Sequence, residues 1–180
     1  MPGHLTKEEI IRSLESASKE FSSYCSQIPE DGFFKQPADK WSIAQNEPHL
    51  VSSAHMTRLA FRLPKFIVRM YTGKPNRPSR SFNELVAKYK TKLAQGGKAS
   101  GRYIPKPVSP KPGKEKIMLD FSRSMELLGK DIQKKWKDPQ LDKYLAPHPL
   151  LGKITLRELG YFTIYHTIHH QEIIKDRVNH

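Results

Sequence analysis

Apolar side chains recur at three- and four-residue intervals through most of the chain, the period of helices that bury one face. After Thr6 the positions Ile10, Leu14, Ala17, Phe21 and Tyr24 keep that rhythm up to Ile28, where Pro29 ends it. A second helix is predicted from Ser42 towards Tyr71, closing at Gly73-Lys74-Pro75 and carrying Pro48 and Pro64 as points of distortion. Ser81 to Gln95 predicts a shorter basic amphipathic helix with Phe82, Leu85, Val86, Tyr89 and Leu93 on one side. Glu115 to Trp136 predicts a third long helix, through Met118, Phe121, Met125, Leu128 and Ile132, and Thr155 to about Val178 the last. Four of these segments open on Ser or Thr followed three residues later by Glu or Gln: Thr6–Glu9, Ser42–Gln45, Ser81–Glu84 and Thr155–Glu158. In that pattern the hydroxyl and the carboxylate or amide satisfy the unpaired N–H groups of a helix start.

Gly96 to Gly113 holds four prolines, four glycines and basic residues, and reads as an extended loop or flap; Asp138 to Lys153 reads as another loop. No strand-like alternation and no internal repeat stands out. An all-α bundle of four long helices follows, with an extra short helix and a long basic loop in the middle of the chain. At 180 residues the chain has the length of one domain, 1–180.

Composition narrows the functional classes. A single cysteine, Cys25, excludes an intramolecular disulfide and a thiolate zinc site. No segment approaches the roughly 18 uncharged apolar residues of a membrane span, and Met1 to Ser13 lacks the apolar core of a secretory signal. A soluble, cytoplasmic protein is expected. The formal net charge is +13. Fifteen Lys and Arg lie between Arg62 and Lys116 against Glu84 and Glu115 alone, while the remaining 16 basic residues are balanced by 16 acidic ones. The whole excess therefore sits in one central segment, which attracts anions or is simply solvated surface. Nucleic acid is not expected as the partner. Phe66, Tyr71, Phe82, Tyr89 and Tyr103 are too scattered for base stacking, and no DNA-reading motif is present.

The last predicted helix carries His166, His169 and His170 among apolar residues. His166 and His170 stand one turn apart and differ by roughly 40° around the axis, so two imidazoles can face one metal ion. Spacing alone does not choose between His169 and His170, nor between a shared ion and a hydrogen-bonded core histidine.

Two stretches carry a resemblance. Lys40-Trp41-Ser42-Ile43-Ala44-Gln45-Asn46-Glu47-Pro48-His49-Leu50 is similar to the start of the second helix of the DinB-like proteins (the DinB/YfiT superfamily), where a Trp-Ser pair caps the helix and His-Leu follows. His148-Pro149-Leu150-Leu151-Gly152-Lys153-Ile154-Thr155-Leu156-Arg157-Glu158-Leu159, followed by His166 and His169-His170, resembles the family's final loop and helix. The resemblance implies a four-helix bundle, frequently dimeric, with a divalent ion on His49, His166 and His170. It implies thiol transfer with bacillithiol, mycothiol or glutathione, or an isomerase of the maleylpyruvate type, although many members have no assigned activity. Carried over here, it makes the chain a metal-dependent transferase or hydrolase acting on an anionic small molecule or thiol, most simply an S-transferase. The alternative is a non-enzymatic metal-, nucleic-acid- or partner-binding bundle. Three imidazoles suit Zn²⁺, Ni²⁺ or Fe²⁺. Gln45 stands where many relatives carry Glu. By position alone Gln45, Tyr165 and Glu172 are candidates to support the ligands, and plain helix-surface roles are the expectation for each. His55, His148, His169 and His180 are expected to be non-ligands, and Trp41, Ser42 and Gly152 an anchor, a cap and a turn.

Overall fold

The computed structural model describes residues 4–38 and 40–178. Its helices are α1 (Lys7–Ser26), α2 (Glu30–Phe34), α3 (Ile43–Arg62), α4 (Lys65–Thr72), α5 (Phe82–Ala94), α6 (Lys114–Lys135) and α7 (Leu156–Val178). The four long ones, α1, α3, α6 and α7, close a ring in which α1 and α3 each pack against both α6 and α7. This is the expected all-α four-helix bundle. The intervals of three and four point inward: Ile10, Leu14 and Phe21 of α1 meet Phe121, Leu128 and Ile132 of α6 in one buried cluster. Phe21 and Phe121 touch with ring centroids 5.1 Å apart.

All four capping boxes form, each with its hydroxyl accepting from the third residue and that residue's side chain accepting from the cap. Each such cap contributes about 1 kcal/mol and fixes where its helix begins. That matters most for α3 and α7, whose start points set the register of the histidines.

Three expectations are corrected. The second helix does not run from Ser42 to Tyr71: Pro64 ends α3 by forcing Leu63 to extended backbone (φ −58, ψ 144), and α4 starts after it. Pro48 breaks nothing; α3 stays helical through it, although Ala44 loses the N–H that would cap its carbonyl. The loop before α7 contains the strands β1 (Leu145–His148) and β2 (Gly152–Thr155), paired antiparallel with Leu145 opposite Thr155 and His148 opposite Gly152. Each strand is four residues long, too short for alternation to show, and β1 contains Pro147. Gly152 turns the hairpin with φ +73. The 96–113 stretch is irregular apart from one 3₁₀ turn at Gly101–Tyr103, as expected of a flap.

α7 is buried on every side from Leu156 to Thr167, because α1, α3, α5 and the hairpin all pack on it. Gly160 lets α1 come close, since a Cβ there would lie 2.9 Å from Cγ2 of Ile10. No helix among the described residues is long and apolar enough to cross a membrane.

Candidate metal centre

α3 and α7 lie side by side. Arg177, near the end of α7, donates to the carbonyl of Trp41 just before α3 (2.6 Å), and Thr57 and Thr163 meet further along at 3.2 Å. Between these two contacts, His49 of α3 faces His166 and His170 of α7. Nε2 of His166 lies 3.0 Å from Nε2 of His49 and 3.2 Å from Nε2 of His170. All three residues are buried.

The tautomers of two of these rings are set by their other nitrogen. Nδ1 of His49 faces the carbonyl oxygen of Tyr103 at 2.6 Å, and a carbonyl only accepts, so Nδ1 carries the proton. Nδ1 of His170 donates to Oδ1 of Asn46 at 2.7 Å. The Asn46 amide is oriented for this because its Nδ2 donates to the carbonyls of Ser42 and Ile43. Both Nε2 atoms therefore present bare lone pairs to a third nitrogen about 3 Å away. Burial, then mutual repulsion among the imidazoles, holds His166 and His170 well below the usual histidine pKa. Burial likewise lowers His49, against the Tyr103 carbonyl, which raises it.

Two bare lone pairs thus face Nε2 of His166 in a buried place, and with the His166 proton on Nδ1 all three imidazoles turn a lone pair to one point. The donor set fits a divalent cation. Nitrogens about 2.0–2.1 Å from a tetrahedral ion sit roughly 3.3 Å from one another, close to the separations seen here. Nδ1 of His166 is the one ligand-side atom with no hydrogen-bond partner among the described residues, so that ring is held by packing instead. Phe162 stacks on it (4.8 Å, 23°). The Trp41 ring lies 5.0 Å from His49 and parallel to His170 at 6.3 Å.

The triad forms part of the wall of a cavity of about 570 Å³. Apolar and aromatic side chains dominate its lining, which includes Phe162, Leu93 and Tyr89. Among the described residues Lys98 and Arg177 are the only formally charged side chains there, and none of those lining it is a carboxylate. Residues 97–104 of the flap form one wall, and Gln45 Nε2 reaches the Pro105 carbonyl at 3.4 Å.

A family model for the DinB superfamily matches residues 13–174. The chain belongs to the DinB superfamily. No curated protein and no solved structure matches it.

For this DinB-superfamily chain the three residues singled out by sequence, His49, His166 and His170, are the ones the fold brings together, and they form the one His/Cys/Asp/Glu group of metal-binding spacing among the described residues. His169 stays outside that group: it lines the cavity beside Tyr89 and Tyr165. His55 is exposed. His148 uses Nδ1 to accept from the backbone N–H groups of Leu150 and Leu151 in the hairpin turn, and burial lowers its pKa to about 4. His180 lies outside the described residues. The supporting residues differ from the expected ones. Gln45 caps α3 and ties down the flap, Tyr165 stacks on His169, and the Glu172 carboxylate favours the charged form of His169. Asn46 and the Tyr103 carbonyl do the orienting instead. Asn46 carried a signal, standing three residues before His49 and so on the same helical face. The carbonyl carried none.

Proposed function

We propose that this DinB-superfamily chain is a metal-dependent enzyme of the thiol S-transferase type. In this reading His49, His166 and His170 hold one divalent ion, Zn²⁺, Ni²⁺ or Fe²⁺, within a cytoplasmic homodimer. The observation that carries the reading is the convergence of the three Nε2 atoms on the wall of a cavity large enough for a small molecule. Three protein ligands leave further positions open, as in catalytic rather than closed structural sites. When bound, such an ion acidifies a coordinated thiol or water and makes a nucleophile near neutral pH.

The protein's own groups do the rest. The Tyr103 carbonyl and Asn46 keep two ligands in the tautomer that faces inward. Arg177 and Lys98, with no carboxylate among the lining residues, attract an anionic thiol. The apolar walls exclude water, which strengthens those attractions. Tyr89 stays a neutral phenol, because burial and then Tyr165 push its pKa up to about 12, so near pH 7 it can offer its O–H as a hydrogen-bond donor but cannot act as a phenolate base.

The test is turnover of bacillithiol, glutathione and coenzyme A with common electrophiles, with and without chelator, in the wild type and in His166→Ala. Metal-dependent turnover lost in the variant supports the reading; its absence for every thiol, in protein shown by elemental analysis to carry metal, overturns it. Light scattering at micromolar concentration tests the dimer.

A further inference from the structure

The triad divides the cavity unequally. Towards the Trp41 end stands Arg177, half-buried, with one N–H on the Trp41 carbonyl and no carboxylate within ion-pair distance among the described residues. In the other direction the wall is a stripe along α3: Met56, Leu59, Ala60 and Leu63, at the three- and four-residue spacing of a single helical face. Leu63 stands fourteen residues beyond His49, so the stripe reaches roughly 21 Å from the triad. Ala146 and Pro147 of β1 and Leu159 of α7 also line this cavity. Leu59 and Leu63 remain 46% and 38% exposed. Ala60 is partly buried against the core, while Leu59 and Leu63 stay open on the cavity side.

We propose that this arm binds an apolar, uncharged tail: the second substrate is a hydrophobic electrophile with an extended hydrocarbon or aryl body. This rests on the transferase reading above and assigns the two directions of the cavity to its two reactants. The anionic thiol takes the side with Arg177, and the electrophile lies along Met56, Ala60 and Leu63 with its reactive end at the triad. Charge complementarity separates them. Leu59, Ala60 and Leu63 offer no group to repay the desolvation of a polar ligand, and Met56 offers only its Sδ, which already accepts from exposed Arg102 at 3.4 Å, whereas each methylene buried there is favourable. Ala60 is the one small residue of the stripe, so a large side chain there fills part of the arm.

Binding of straight-chain 1-alkanols from butanol to decanol to the metal-loaded protein, followed by titration calorimetry, isolates the arm from the thiol side. The dissociation constant is expected to fall about three- to fourfold per added methylene and to level off once the chain outgrows the arm. Ala60→Phe flattens the series and weakens decanol at least tenfold, with metal content unchanged. Leu63→Ser, at an exposed position where folding is not at stake, weakens only the longest members, and Arg177→Ala leaves the series within twofold. A dissociation constant that varies less than twofold from hexanol to decanol, or a series untouched by Ala60→Phe in folded, metal-loaded protein, overturns the proposal. Metal-dependent thiol turnover with a flat alcohol series sinks the arm alone. An intact series without thiol turnover upholds the arm and sinks the transferase.

Discussion

Each ligand of the centre is only as good as the group behind it. Asn46 faces His170 through Oδ1 and the helix start through Nδ2, so its own orientation is fixed by the capped end of α3. Asn46→Ala is expected to weaken metal affinity about 10- to 100-fold with the helical circular dichroism unchanged, as competition with a metallochromic chelator would show. One residue on, Glu47 is fully buried on α3, and neither carboxylate oxygen has a hydrogen-bond partner among the described residues. Burial raises its pKa to about 8, against the lowering effect of Lys114. The folded protein therefore keeps Glu47 protonated at pH 7 while the unfolded chain ionises it. Its contribution is intact below about pH 4.5 and lost as pH climbs towards 8. Glu47→Gln removes that titration, so the variant's melting temperature should overtake the wild type's by a margin that widens from pH 5 to 8. Parallel pH profiles would instead mean that the carboxylate is paired in solution. The three histidines were legible because two share a helix face and the third sits in a recognisable motif. A backbone carbonyl such as that of Tyr103 leaves no trace in the sequence, and helical spacing alone does not separate His170 from His169: the resemblance made that choice, which in the fold depends on how α7 is rotated against α3.

At the scale of elements, the helix starts were the most legible feature, since a capping box is local chemistry, and all four formed. The helix ends and the hairpin were less so, because Pro64 and two four-residue strands act through backbone geometry and neighbours rather than period. The last box also does work that its spacing did not announce. Glu158, buried at the start of α7, accepts from the N–H groups of Thr155 and Arg80 and from the guanidinium of Arg77 at 2.7 and 2.9 Å. Burial alone would raise its pKa, but the Arg77 bonds and the backbone donors outweigh it and hold the carboxyl below the usual range. Two cations of the basic segment thereby pin the 73–81 connection to α7. Glu158→Gln strands both arginines and is expected to cost about 3 kcal/mol, measured by urea unfolding at pH 7. The wild-type advantage should persist above pH 4.5 and shrink as pH falls through the depressed folded pKa.

For the whole molecule, the uneven charge is less available than the count of +13 implies. Arg77 and Arg80 are spent on Glu158, Lys114 on the carbonyls of Ser26 and Ile28 at the end of α1, and Lys65 and Arg69 lie over the rings of Trp136 and Tyr144. A segment that holds the bundle together in this way is a poor continuous stripe for a phosphate backbone, which argues for the small-molecule reading over the nucleic-acid one. The same logic ties the metal to the fold. α3 and α7 meet at the Nε2 atoms of three neutral imidazoles, which one shared cation would tie together. An ion that binds only the folded chain stabilises it by about 2.7 kcal/mol at a hundredfold excess over its dissociation constant. For a chain of this size that is roughly 5–10 °C in melting temperature. Scanning calorimetry of protein stripped by chelator, then reloaded with Zn²⁺, Ni²⁺ or Fe²⁺, should show a rise of that size for at least one ion, and none for His166→Ala. A wild type whose melting temperature ignores all three would mean that the histidines satisfy one another without a metal, and that α3 and α7 are joined by packing alone.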